Sequence, residues 1–176
     1  LMPETYFYSF NSPASHILIK SQDSFIKYAE LLWKKKQPLN PLKTLDEAII
    51  LASIVEKEAG NNKEKPIIAG VFLNRLNLNM RLQADPTIIY GLLPNFNGNI
   101  TKLNLQDSSN RYNTYKIKGL PPTPIAMISK SSLEAVILGI PNNYVYFVAK
   151  GDGTHYFSTK YADHLKAVRK FQLNKS

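Results

Sequence analysis

Two glutamates, Glu56 and Glu58, follow the most apolar stretch of the chain, residues 48–55, where Ser53 is the single polar side chain. Burial disfavours the charged form of a carboxyl group and raises its pKa, which is what a general acid needs at neutral pH. Alternatively, both carboxylates reach solvent beyond the last apolar turn of a helix. The sequence leaves both interpretations open.

The spacing of Glu56 and Glu58 limits what they can do together. Residues i and i+2 of a helix do not face each other, so at most one of the two carboxyls points into a given cleft. They therefore cannot form the acid and nucleophile pair of an ordinary glycosidase, whose carboxyls lie about 5–9.5 Å apart. Because apolar residues occur on both sides of this helix, periodicity does not choose between them.

A second polar cluster occupies residues 81–91. Asp85 is predicted to be a helix N-cap with Pro86 at the first helical position, a purely structural role. The same cluster offers amide and hydroxyl groups of the kind that bind sugar hydroxyls, carried by Gln83, Thr87 and Tyr90.

A third cluster contains Tyr112, Asn113, Thr114 and Tyr115 and is followed by the proline-rich residues 119–122. Aromatic rings and amides on a rigid loop suit carbohydrate recognition, and they equally suit a loop that is packed for its own sake. A long loop inside a compact domain usually has a binding role. We therefore expect the second and third clusters to line one groove.

The sequence predicts neither a metal nor a cofactor. It contains no cysteine, which excludes disulfides, thiolate-bound zinc and thiol nucleophiles. His16, His155 and His164 are widely separated and lack metal-ligand spacing, so each is predicted to be a structural histidine with a hydrogen-bond partner. Phosphate-binding and nucleophile-elbow motifs are also absent from the sequence.

The charge balance favours an anionic partner. Lys and Arg number 22 against 13 Asp and Glu, a formal net charge of +9. Charge alone ranks nucleic acid first among nucleic acid, anionic lipid and acidic polymers. Against nucleic acid, the basic residues are scattered and no recognised binding motif occurs, although a terminal helix could follow phosphates with Lys160, Lys166, Arg169 and Lys170.

The elements that must position these residues are mostly helical. Thr44 and Glu47 have capping-box spacing and open the glutamate helix, which Gly60 ends. Further helices are predicted at residues 21–36, 65–78, 85–90, 131–139 and 161–173, a strand at 5–10, a hairpin at 144–149 and 154–158, and a loop at 94–125. This mixture predicts an α+β fold, with helices around a small, mostly antiparallel sheet and a buried central glutamate helix.

Several motifs of the sequence resemble those of the MltG/YceG family of endolytic murein transglycosylases and occur in the same order as in that family. The N-terminal motif at residues 1–10, the glutamate helix at 51–58 and the central segments 71–76 and 80–91 match first. Later matches are residues 112–115, 119–122, 124–125, 146–149 and the closing pattern from His155 to His164. The resemblance covers essentially the whole chain. It departs at Leu165, where the family often has Asn, and the insert at 93–103 is not distinctive.

The resemblance implies that Glu58 is the catalytic acid and base, with Glu56 as the fallback. The implied reaction cleaves the MurNAc–GlcNAc β-1,4 bond within peptidoglycan strands and leaves 1,6-anhydroMurNAc ends. One carboxyl suffices, because the C6 hydroxyl of the sugar replaces water. The expected substrate-binding residues are Glu56, Asn74, Arg75, Gln83, Asp85, Thr87, Tyr90, Tyr112, Asn113 and Thr114.

The expected setting is the cell envelope. Residues 1–176 are predicted to be a single catalytic domain, a fragment of a longer protein, because the first residues lack signal-peptide character. The resemblance implies an anchor outside this chain, a location at the outer face of the cytoplasmic membrane or in the periplasm, and cell-wall synthases as partners; nucleic acid is not an expected partner. A non-catalytic glycan-binding module is the alternative function.

Overall fold

The computed structural model describes residues 1, 4–140 and 142–173. Within them lie seven α-helices and a two-stranded antiparallel sheet, so the predicted α+β class is confirmed. The helices are α1 (Ala14–Trp33), α2 (Leu45–Glu58), α3 (Lys65–Asn77), α4 (Asp85–Leu92), α5 (Lys102–Gln106), α6 (Lys130–Ile137) and α7 (Tyr161–Val168), which continues as a π-helical turn, Arg169–Leu173. The strands are β1 (Tyr146–Ala149) and β2 (His155–Ser158).

Helix α2 is central and begins where its capping residues predict. The Thr44 side chain accepts a hydrogen bond from the Glu47 backbone N–H (3.1 Å), and Glu47 Oε2 accepts one from the Lys43 N–H (2.6 Å). The apolar run is buried, with Leu51 and Val55 fully inaccessible to solvent. Since α2 ends at Glu58, this carboxyl lies at the point where the helix leaves the core.

The core forms where α2, α3 and α6 pack against one another. Phe72 and Ile68 of α3 are fully buried in it, as is Ile137 of α6. The hairpin packs beside this helical core: the Phe147 ring of β1 meets the Phe72 ring edge to face, with centroids 5.7 Å apart. The sheet is therefore fixed to α3 by aromatic contact.

A glycine contact places the hairpin turn beside the end of α2. A Cβ atom added to Gly60 would lie 2.4 Å from the Gly153 carbonyl oxygen, so only glycine allows the two backbones to come this close. Gly153 itself has a φ of +82°, in the left-handed region that favours glycine. Asn61 Nδ2 also donates to the Gly153 carbonyl (3.3 Å). The loop between α2 and α3 therefore holds the hairpin.

The predicted strand at residues 5–10 is wrong. Residues 4–9 have no regular structure, because no strand within the described part of the chain pairs with them. Phe7 and Phe10 are 89% and 94% exposed. Met2 and Pro3 of the N-terminal motif lie outside the described residues. Helix α1 begins at Ala14, before its predicted start.

The predicted loop at 94–125 contains the short helix α5. The side chains of Thr101 and Asn104 cap it reciprocally. A helix of five residues is too short to give an apolar period, which is why the sequence pattern missed it. Among the described residues, no helix combines the length and apolar character needed to cross a membrane.

Candidate active site

One open cleft, with a volume of about 430 Å³, brings together four of the residues predicted for the site: Glu58, Arg75, Gln83 and Asp85. The hairpin and α7 contribute much of the rest of its lining. Polar and aromatic side chains dominate there, namely Tyr115, Tyr146, Phe147, His155, Tyr161, His164 and Gln172.

Glu58 is a protonated carboxyl at neutral pH. Burial at the end of α2 is the main cause, and the nearby negative charge of Asp85 adds to it, while Arg75 acts in the opposite direction. The net effect of the three is to raise the pKa of Glu58 from 4.5 to about 8. A neutral carboxyl that faces an open cleft can donate a proton, as a general acid does.

Arg75 ties one wall of the cleft together. Its side chain is buried, with Nε donating to the Val145 carbonyl (2.7 Å) and Nη1 to the Leu82 carbonyl (2.6 Å). The guanidinium carbon lies 5.6 Å from the centroid of the Tyr146 ring. Arg75 therefore joins α3 to the segment before α4 and to the start of the hairpin, with its positive charge near Glu58.

Asp85 is not the N-cap of α4, contrary to the sequence prediction. Ala84 holds the N-cap position in an extended conformation, and α4 begins at Asp85 itself. The Asp85 carboxylate therefore does not occupy the N-cap position. Its Oδ1 accepts a hydrogen bond from Tyr115 Oη (2.6 Å). The pKa of Tyr115 is raised, first by burial and then by this bond. Asp85 is a second carboxylate in the cleft.

Gln83 reaches the cleft through an unusual backbone conformation. Its φ is +52°, in the left-handed region that residues other than glycine rarely adopt. The hydrogen bond from the Gln83 N–H to the Thr114 carbonyl (3.1 Å) supports this conformation. Such strained positions cluster at functional sites.

Glu56 lies outside the cleft lining and joins α2 to α3 and α6. Its Oε2 accepts hydrogen bonds from the Ser129 hydroxyl (2.6 Å), the Ser132 hydroxyl and Lys65 Nζ (3.2 Å). Burial acts to raise its pKa, but these bonds outweigh burial and lower the pKa of Glu56 to about 2. Glu56 is therefore ionised wherever the protein is folded near neutral pH, and it cannot act as an acid.

Three other predicted residues hold the long loop together from inside. Asn113 and Thr114 are both fully buried, as is Thr87. The Thr87 and Thr114 hydroxyls lie 2.9 Å apart. Asn113 Nδ2 donates to the carbonyls of Asn104 (3.1 Å) and Asp107 (2.8 Å). These polar groups satisfy buried backbone and are not among the residues that line the cleft.

The remaining predicted residues also lie outside the cleft lining. The rings of Tyr90 and Tyr112 pack with centroids 4.8 Å apart, and Tyr112 Oη lies 2.8 Å from Thr123 Oγ1. Asn74 Nδ2 donates to the Tyr144 carbonyl (2.8 Å). The structure therefore brings together Glu58, the start of α4 and the hairpin, and of the long loop's third cluster only Tyr115 joins them in the cleft lining.

The sequence patterns predicted the hairpin and the terminal helix as elements but did not identify them as a wall of the cleft. His155 was predicted to be structural, and it lines the cleft with Nδ1 2.8 Å from Glu64 Oε2. His164 was expected to have a hydrogen-bond partner, but its buried Nδ1 has none among the described residues. Its ring instead stacks on Tyr146, 5.2 Å away between centroids. The pattern from His155 to His164 was the signal available for this wall.

Among the described residues, no group of three or more His, Asp or Glu side chains is placed to hold a metal ion.

Comparisons with known proteins point to one family. The model of the YceG-like family matches residues 1–170. An endolytic murein transglycosylase of Bacillus subtilis is 35% identical over 183 aligned residues, which cover 100% of this chain and 48% of that protein. One from Streptococcus pneumoniae is 36% identical over 130 residues, covering 71% of this chain and 23% of that protein.

A solved structure shares the fold. The crystal structure of a YceG-like protein from Listeria monocytogenes matches with a TM-score of 0.75 and 36% identity, over 93% of this chain and 53% of that one. The α+β fold of this domain thus has a known counterpart. The chain belongs to the YceG-like family, which confirms the family indicated by the sequence motifs. It spans about half the length of its Bacillus and Listeria relatives.

Proposed function

We propose that this domain cleaves peptidoglycan glycan strands at internal positions as a lytic transglycosylase. The observation that carries the proposal is Glu58, a carboxyl whose pKa is about 8 at the end of a buried helix in an open cleft. The names of the Bacillus and Streptococcus relatives, endolytic murein transglycosylases, support the same reaction and the same substrate.

Glu58 acts first as an acid and then as a base. The neutral carboxyl donates its proton to the oxygen of the MurNAc–GlcNAc β-1,4 bond. The bond between that oxygen and C1 of MurNAc breaks, and positive charge develops at C1. The Glu58 carboxylate then takes the proton of the C6 hydroxyl of the same MurNAc. As it does so, the oxygen of that C6 hydroxyl forms a bond with C1. The products are a free GlcNAc hydroxyl and a 1,6-anhydroMurNAc end, and no water is consumed.

Asp85 supports this step without a covalent role. Its negative charge near Glu58 keeps the acid protonated before the reaction and favours the positive charge that develops at C1. Tyr115 Oη donates a hydrogen bond of 2.6 Å to Asp85 Oδ1 and so holds the carboxylate in place. Gln83 supplies an amide for hydrogen bonds to the sugar, and the exposed Tyr161 ring offers an apolar face to a pyranose ring.

Hydrolysis is the second candidate reaction, and the presence of both Glu58 and Asp85 in one cleft favours it. In that reaction Asp85 would activate water or attack C1. A non-catalytic glycan-binding module would also use the cleft, but it gives no reason for a carboxyl with a raised pKa. The names of the relatives and the hydrogen bond from Tyr115 to Asp85 favour transglycosylation.

The proposed substrate sets the proposed location. Peptidoglycan lies outside the cytoplasmic membrane, so we place the domain in the cell envelope, tethered by a segment beyond residues 1–176. Residues 1–176 act as one catalytic domain, since a single core joins α2, α3 and α6. Enzymes that polymerise glycan strands are the expected partners, because they supply the substrate.

Long glycan strands stripped of their peptides test this proposal. We expect the mean strand length to fall early, before short products accumulate, because the open cleft accepts internal segments. Size-exclusion chromatography of samples taken over time measures this. A binding module would leave the strand length unchanged, and an enzyme acting from the ends would release short products first. Either result would contradict the proposal.

A further inference from the structure

His155 is held in one orientation by both oxygens of a single carboxylate. The His155 backbone N–H donates to Glu64 Oε1 (2.9 Å), and Nδ1 lies 2.8 Å from Glu64 Oε2. The two side chains are 10% and 13% exposed. A carboxylate bound to one ring nitrogen in this way orients a histidine whose other nitrogen is available for a ligand.

Aromatic contacts fix the plane of the same ring. Phe147 meets it edge to face, with centroids 5.4 Å apart and the planes at 86°. Phe157 lies 6.2 Å away on the same hairpin. With Nδ1 bound to Glu64, the ring has few ways to rotate, so the direction in which Nε2 points is set by the fold.

The bond to Glu64 also sets the tautomer. An ionised carboxylate only accepts hydrogen bonds, so Nδ1 of a neutral His155 carries the proton and Nε2 keeps a free lone pair. His155 lines the cleft, and the only hydrogen-bond partner of its ring among the described residues is Glu64, at Nδ1. Nε2 thus has no hydrogen-bond partner among the described residues.

Glu58 and His155 are held by the same loop. Glu58 ends α2, and Glu64 stands immediately before α3. Between them, Gly60 and Asn61 contact the hairpin turn at Gly153. One short connection therefore holds the hairpin, and His155 with it, beside the end of α2.

We propose that His155 is a substrate-contacting residue of this cleft, with Glu64 as its positioning residue. Nε2 forms a hydrogen bond with a sugar hydroxyl of the bound strand, a group that both donates and accepts, and so aligns the sugar with Glu58. This inference rests on the proposed function for the substrate class.

His155→Asn separates this role from a structural one. The Asn amide nitrogen takes roughly the place of Nδ1 and can still donate to Glu64, but no atom replaces Nε2. We expect the melting temperature to stay unchanged and kcat/KM on glycan strands to fall by about tenfold, the effect of one good hydrogen bond. His16→Asn is the matched control, since His16 is exposed on α1, and its kcat/KM should not change.

Glu64→Gln tests the positioning role. Gln has one acceptor oxygen for the two His155 donors, and an amide nitrogen facing Nδ1 would move the ring proton to Nε2. We expect a similar fall in kcat/KM. The double variant His155→Asn/Glu64→Gln should lose no more than the larger single loss, because both changes remove the same contact.

The outcomes distinguish this inference from the proposed function. If wild type cleaves strands and folded His155→Asn stays within about twofold of its kcat/KM, the inference is overturned and the proposed function stands. If wild type binds strands without cleaving them, the proposed function fails. Binding by His155→Asn, measured by calorimetry, should even then be about tenfold weaker, and unchanged binding would overturn the inference.

Discussion

Replacing Glu58 by Gln is expected to lower the rate of strand cleavage by at least 10²- to 10⁴-fold, the usual contribution of a general acid. The two side chains have nearly the same shape, so the cleft should keep its form. Gln has no acidic proton for the glycosidic oxygen, and it cannot take the proton of the C6 hydroxyl afterwards. Initial rates on purified glycan strands, compared between wild type and Glu58→Gln, measure the loss.

Glu56→Gln is the matched control for this experiment. It makes the same chemical change two positions earlier on α2, at a side chain that lies outside the cleft lining. We expect it to reduce the free energy of unfolding by about 1–3 kcal/mol, because buried Lys65 loses its ionised partner. Its cleavage rate well below the melting temperature should stay near that of wild type. A folded Glu56→Gln without activity, beside an active Glu58→Gln, would show that the acid is Glu56.

The same substitution at Glu58 is expected to stabilise the protein at alkaline pH. The pKa of Glu58 rises from 4.5 to about 8 on folding, so the native state keeps a proton that the unfolded chain releases. As the pH rises through this window, Glu58 therefore destabilises the native state progressively, by roughly 2–5 kcal/mol in total. Gln is neutral at every pH and removes this loss.

Denaturant unfolding of wild type and Glu58→Gln between about pH 4 and 9 measures the effect. The free energies of unfolding should agree closely below a pH of 4.5, where both side chains are neutral, and diverge in favour of Glu58→Gln up to about pH 8. A difference that does not change with pH, or a Glu58→Gln protein that is less stable at about pH 9, would mean that Glu58 is not held in its protonated form.

Local sequence signals predicted the helix that carries both candidate acids but could not choose between Glu56 and Glu58. Thr44 and the apolar run define α2 because capping and burial act within a few residues. The difference between the two glutamates arises from distant segments. Ser129 and Lys65 bind Glu56, whereas burial and, to a lesser degree, the charge of Asp85 raise the pKa of Glu58. No periodicity within α2 contains that information.

The lining of the cleft was harder to predict than the helix that carries Glu58. Asn113 and Thr114 were expected to bind substrate because they are polar and lie in a loop, but a packed loop must also satisfy its own buried backbone. His155 and Tyr146 face Glu58's cleft only because tertiary contacts place the hairpin there. Such an arrangement depends on the whole fold, so neighbouring residues in the sequence do not reveal it.

The mass of the new strand ends tests the central claim most directly. Purified glycan strands would be incubated with wild type and with Glu58→Gln, and the product ends analysed by mass spectrometry. We expect wild type to produce 1,6-anhydroMurNAc ends, which are lighter than reducing ends by one water, and Glu58→Gln to produce almost none. Reducing MurNAc ends from wild type would contradict the claim, since they would show that water attacks C1 and that Asp85 and Glu58 act together as a hydrolase.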